Sequence, residues 1–441
     1  MDNKQKLMSM KHLVNVSLML LIFATNLLSQ EASVNPLEKG VTQNLTDDGK
    51  YFVKFGASME FWARYAQLNP GSVDFTGKEI KNDFDFVLRR INTSTMIKLD
   101  RFLFFSMIGI GTQTMTASAS PFTSAKPTFL LYDIFGSYEF VPKYLRVGYG
   151  LSLYRGLSRY SSASATRTIG SDVPMMAAPD VITTEQTARH LGIFATGNIG
   201  SLSYRVIFGK PFVVNGANRP AFGLDKAADV PNNHYSYEGY FNFQFFEKEG
   251  NLMPFLPASY LGQKKIFNIG AGFYYHPKST QSITSAGDTV TNDKLHLAAD
   301  VFLDLPISGG AALTFYSAFF SFNYGPNYLL GNGVANVYST PAGKGISEPG
   351  FGTGKALATQ LAWLFPKTFG KASKVQVYYE GEYKFYDALS DPALHHNIGI
   401  NYFIFGHNLK FTLQEELRPY FVNGNIDSHK GMTILKTQVY F

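Results

Sequence analysis

Segments that alternate between hydrophobic and polar residues recur along most of the chain. In "YFVKFGASMEFWARYA" (51–66), Val53, Phe55, Ala57, Met59, Phe61, Ala63 and Tyr65 fall on one face. Lys54, Gly56, Ser58, Glu60, Trp62 and Arg64 fall on the other. A period of two predicts a strand with one apolar and one polar face. "YLRVGYGLSLYRG" (144–156) and "KVQVYYEGEYKFY" (374–386) repeat the pattern, and "GMTILKTQVYF" carries it to the terminal Phe441. Sixteen such segments are predicted, at about 51–66, 83–98, 102–117, 129–141, 144–156, 189–199, 201–212, 235–248, 265–277, 293–305, 310–324, 355–366, 374–388, 394–405, 408–421 and 431–441. They exceed the five or six residues usual in a soluble sandwich and are long enough to cross a bilayer when tilted.

The connections form a second pattern. With the N-terminus periplasmic, the gaps at 99–101, 142–143, 197–200, 306–310, 366–373 and 406–407 read as short turns. Those at 67–82, 118–128, 157–188, 213–234, 278–292, 325–354 and 422–430 read as long external loops. Two gaps break the rhythm: 249–264 is long for a turn, and 389–393 is short for a loop. The expected fold is all-β, a transmembrane antiparallel β-barrel of sixteen strands with long external loops and short periplasmic turns. Neither a long helical pattern nor a polar linker divides it, so 51–441 reads as one barrel domain behind a short periplasmic segment, 30–50.

Composition sharpens this picture. Aromatic residues make up 15% of the chain and charged residues only 16%, against about a quarter in a typical globular protein. Mean hydropathy is −0.06, too polar for a helical membrane protein. A barrel reconciles the two, because only alternate residues meet lipid. The absence of cysteine excludes disulfides, thiolate metal sites and a lipoprotein anchor. The net charge of +6 is spread without basic runs, so no nucleic-acid partner is expected. "MDNKQKLMSMKHLVNVSLMLLIFATNLLSQ" has a basic start and a short apolar stretch, Leu13 to Leu28, and reads as a cleaved secretory signal over 1–29. The expected location is the outer membrane of a Gram-negative bacterium, with outer-membrane lipid around the barrel.

Sixteen strands enclose an aqueous channel. Alternation points Lys54, Glu60, Arg64, Arg90, Arg146, Arg205, Glu380, Glu382 and Lys384 inward. The longest loop, 157–188, carries Arg159, Arg167, Asp172, Asp180 and Glu185, and is expected to narrow the lumen. Rings of arginine and lysine favour anions; Glu60, Glu380, Glu382 and Glu416 oppose them. For each charge the plain alternative is a solvated lumen residue without a special role. Enzyme signals are poor. "GFGTGKA" (350–356) lacks the spacing and the hydroxyl of a phosphate loop, and His395 and His396 point to opposite faces of a strand. No catalytic residue, cofactor or metal is expected.

"FVLRRINTSTMIKLDRFLFFSMIG" (86–109), with its paired arginines, short turn and aromatic strand, resembles the phosphate-selective porins of the O and P type. "LYDIFGSYEFVPKYLRVGYGLSLYRGLSRYSS" (131–162) and "RHLGIFATGNIGSLSYRVIFG" (189–209) are similar to the family's following landmarks. The resemblance covers about 50–212 and specifies the barrel better than the solute. It implies a homotrimer that passes small hydrophilic solutes or anions by diffusion. Arg146, Arg155, Arg159 and Arg205 are the arginines that could contribute to a selectivity ladder. A full ladder cannot be matched, so a general diffusion porin is the leading expectation, and a partner-docking barrel without an open pore is the alternative.

Overall fold

The computed structural model describes residues 41–72, 76–110, 113–114, 129–181, 183–184, 188–212, 222–331, 345–346, 349–366 and 374–441. The predicted leader and residues 30–40 of the expected 30–50 segment lie outside them, as do Glu185 and the whole expected loop at 118–128. Sixteen long strands form one barrel: β1 (Tyr51–Gln67), β2 (Asn82–Leu99), β3 (Phe102–Ile110), β4 (Phe129–Val141), β5 (Leu145–Ser152), β6 (His190–Ile199), β7 (Leu202–Lys210), β8 (Ser236–Gln244), β9 (Ile266–Ile283), β10 (Thr289–Ile307), β11 (Ala311–Asn323), β12 (Gly354–Leu364), β13 (Lys374–Tyr386), β14 (Ala393–Phe403), β15 (Leu409–Val422) and β16 (Asn425–Tyr440). Each pairs antiparallel with its sequence neighbours. β1 pairs with β2 on one side and β16 on the other, which closes the barrel. Phe441 extends the closure by exchanging two backbone hydrogen bonds with Ala57. The part of β1 beyond this seam is covered by a short strand, Val41–Asn44, so no edge is left open there.

The barrel is apolar outside and charged inside. Phe86, Phe104, Ile134, Tyr149, Ile193 and Ile398 are among many large apolar side chains exposed on the outer wall. Their strand neighbours, such as Asp85, Asp133 and Arg146, are buried on the inner wall. This inversion of a soluble protein is stable only where lipid replaces water on the outside, and a closed barrel leaves no backbone group unpaired there.

Two expected long loops are not loops. β9 and β10 run on to Ile283 and Thr289, so 278–292 is largely a hairpin extension. β15 and β16 meet across Asn423–Gly424, with φ of 52° and 81°, so 422–430 contains a two-residue turn. Asn-Gly suits a turn with positive φ at both central positions. The expected strand 144–156 ends at Ser152; Leu153 to Gly156 leave the wall and enter the lumen.

Candidate functional site

The lumen holds two inserted segments. The first joins β5 to β6 and spans 153–189, with 182 and 185–187 outside the described residues. It folds into the barrel and follows the inner wall from β8 round to β2. Its root is set by close backbone contact. Leu157 donates to the Gly239 carbonyl, and a Cβ on Gly272 would lie 2.4 Å from the Leu157 carbonyl oxygen. Only glycine lets the loop approach the sheet this closely. Gly272→Ala is expected to push the root off the wall while the barrel stays closed. A spin label at Ser164→Cys then becomes more mobile with heat-modifiable gel mobility unchanged; an immobile label would contradict this contact.

Charged and polar groups then fix the loop strand by strand. Arg155 reaches Glu238 at 2.8 Å and Asp180 at 3.2 Å. Arg159 grips Glu249 through two 2.7 Å bonds, and its guanidinium lies 3.7 Å from the Phe302 ring centre. Tyr160 stacks on Tyr316 and donates to Gln360. Beyond Arg167, the loop backbone is held by Lys410 at the Thr168 carbonyl, Asn401 at Ile169, Glu380 at the Gly170 amide and Gln414 at the Ser171 amide. Small inward residues, Ala318, Ala356, Ala358 and Ala362, make room for this path beside Tyr160, Ile169 and Met176. The loop therefore has a hydrophobic core of its own inside the barrel.

The loop's far end is clamped by a bulge. β1 and β2 slip register between Glu60 and Phe61, with Arg90 opposite Glu60 and Leu88 opposite Phe61. The extra residue, Arg89, turns inward beside Arg90 instead of facing lipid. Both arginines bind Asp172, Arg90 at 2.6 Å, and Arg90 also binds Glu60 at 2.8 Å. Strict alternation identified Arg90 but not Arg89; the adjacent arginine pair was the available signal.

Burial alone raises the Asp172 pKa, but Arg89 and Arg90 override it and hold the carboxyl well below the usual range. Burial also raises Asp180, and His190, Lys294 and Arg155 override it in the same way. Depressed carboxylates contribute fully above their unfolded pKa of about 4, and that contribution is lost as pH falls through the folded values. A spin label at Val173→Cys should keep one line shape from about pH 8 to about pH 4. Loosening near pH 6 would contradict these two clamps.

The second insertion is the connection between β8 and β9, the long gap at 249–264. It enters from the end that carries the strand turns and pairs with the first insertion. The Leu256 amide donates to the Ser162 carbonyl, the Ser164 amide donates to the Leu256 carbonyl, and the Ala258 amide donates to the Arg167 carbonyl. Leu252, Met253 and Phe255 pack on inward-facing Phe105, Phe135, Phe194 and Ile207. The inner wall of β3, β4, β6 and β7 is thus apolar where the segment covers it.

The remaining sequence-selected residues fall in different settings. Arg64 binds Asp85 through bonds of 2.9 and 2.5 Å on the neighbouring strand. Arg146 pairs with Glu139 at 3.3 Å. Arg205 donates to the Pro254 carbonyl of the second insertion at 2.8 Å. Lys384 pairs with Glu382 at 2.8 Å. Lys54 is half-buried near the turn end, and Arg167 is exposed on the first insertion. Glu60, Arg90 and Asp172 come together; Arg155 and Arg159 are buried between loop and wall instead of facing open space. Open space persists between Asp172–Met175 and the wall of β13 to β16 and β1, where Glu380, Glu382 and Glu416 face inward.

No protein-family model matches this chain, and no curated protein matches it in sequence. Solved structures do. Pseudomonas putida OprB, at high pH, aligns with a TM-score of 0.54 and 10% identity over 88% of this chain and 94% of its own. Salmonella typhi OmpF, in complex with daunomycin, aligns with a TM-score of 0.50 and 10% identity over 90% of this chain and 100% of its own. At this identity the likeness is one of fold: a sixteen-stranded porin-type barrel.

Proposed function

We propose that the protein is an outer-membrane porin of a Gram-negative bacterium, a passive channel for small hydrophilic solutes and ions. The observation that carries this reading is a closed barrel with an apolar exterior, a charged interior and a long loop folded within it. The porin fold and the resemblance of 86–109 and 131–162 to porins support it, and they support a homotrimer. Passage runs past the gap between Asp172–Met175 and the facing wall, and the two insertions make it narrow.

Anion or phosphate selectivity gains no support from the lumen. Arg64, Arg90, Arg146, Arg155 and Arg159 each lie on a carboxylate, so they tether the fold instead of presenting free positive charge. A second reading, a partner-docking barrel without an open pore, is favoured by how much of the lumen the two insertions fill. Liposome swelling separates them. Proteoliposomes should swell in arabinose and more slowly in a disaccharide; a folded barrel that admits neither sugar supports the second reading.

A further inference from the structure

We propose that the open space beside the first insertion binds a small organic cation with an apolar face, the solute class that this channel, if the porin reading holds, handles best. Trp62, Met432 and Ile434 of the wall and Met175 of the loop line it. Glu380, Glu382 and Glu416 stand among them, Glu416 directly across from Met432 in the strand register, with Asp172 on the loop. Among the described residues no lysine or arginine lines this space. The balancing cations are held on those carboxylates: Lys384 on Glu382, Arg418 on Glu416, and Arg89 and Arg90 on Asp172, with the Arg89 guanidinium also 5.4 Å from the Trp62 ring centre. Glu380 has no such cation; it accepts from the Gly170 amide, Gln360 and Asn397. His395 also lines the space, 3.3 Å from Glu416, so an incoming solute meets carboxylate oxygens and one imidazole but no ammonium group.

A second observation comes from the apolar side. Trp62 is 4% exposed, and its indole N–H has no hydrogen-bond partner. A buried indole N–H usually has one, and a solute carrying an acceptor supplies it. The carboxylates do not converge: among the described residues no three acidic or histidine side chains could hold a metal ion. Carboxylates interleaved with an indole and two aliphatic side chains fit an extended organic ammonium better than a compact ion. The ammonium sits among Glu382 and Glu416, the hydrocarbon lies on Trp62, Met432 and Ile434, and an acceptor meets the indole N–H.

The chain has two tryptophans, and Trp363 lies on the outer wall. In the Trp363→Phe protein, Trp62 fluorescence therefore reports this space alone. Titration with phenylalaninol, which joins a phenyl group, an ammonium and a hydroxyl, is expected to give a saturable change. N-acetylphenylalaninol, uncharged and of similar shape, should give none. Glu382→Gln with Glu416→Gln should weaken binding at least about tenfold; if that pair does not fold, Glu382→Gln alone should weaken it severalfold. Equal responses to both compounds overturn the proposal. So does no response in protein that conducts in a planar bilayer, which leaves the porin reading intact. Saturable, charge-dependent binding in protein that does not conduct upholds the site and removes the porin reading.

Discussion

Replacing Arg159 with alanine is expected to cost about 3–5 kcal/mol of unfolding free energy. Arg159 and Glu249 are 1% and 3% exposed at their side chains, so neither is hydrated. The substitution leaves Glu249 with the Tyr260 hydroxyl and the Asn268 amide but no cation. An uncompensated buried carboxylate costs far more than a lost surface pair. It also frees the point where the two insertions meet, since Arg159 binds the Pro257 carbonyl as well. Adding Glu249→Gln should recover part of the loss by removing the stranded charge. Urea unfolding in detergent, read by gel mobility, measures both. A loss below about 1 kcal/mol for Arg159→Ala would mean that water reaches this pair.

Replacing Arg89 and Arg90 together by alanine is expected to raise single-channel conductance by about twofold or more, because flow follows the narrowest cross-section. The two arginines are the far anchor of a loop whose root is fixed on β8 and β9. Without them Asp172 keeps only the Val173 amide in the lumen, and the segment 172–175 swings from the wall. Glu60 retains Lys436 at 3.4 Å, so the wall itself stays balanced. Arg90→Ala alone should do less, because Arg89 still holds Asp172. An unchanged conductance in the double variant would show that 172–175 does not bound the passage.

Most of the barrel was legible in the sequence because strand alternation is a local property, repeated sixteen times. The seam at β1 and β16 follows from the same pattern running to Phe441. The hairpin at Asn423–Gly424 was also local, but the mostly polar stretch 425–430, with only Ile426 apolar, obscured it by looking like loop. The two insertions were legible only as anomalies of length, in 157–188 and 249–264. Their partners were not, because Arg159 and Glu249, or Gly170 and Glu380, are far apart in sequence and no spacing rule links them. Alternation also misplaces any residue next to a bulge, which is why Arg89 escaped. Arg64, Arg90, Arg146, Arg155 and Arg159 read as free selectivity charges for a related reason: the carboxylates that neutralise them arrive from neighbouring strands and from the two insertions.

The most direct test is single-channel recording of the purified protein in a planar bilayer under a salt gradient. A passive, narrowed channel predicts discrete open steps of small conductance. With Arg64, Arg90, Arg146, Arg155 and Arg159 on carboxylates and Glu380, Glu382 and Glu416 facing the gap, it predicts a reversal potential near zero or of cation sign. A strong anion sign would contradict the charge arrangement described for the lumen, and a folded, heat-modifiable barrel without any open step would contradict the channel itself.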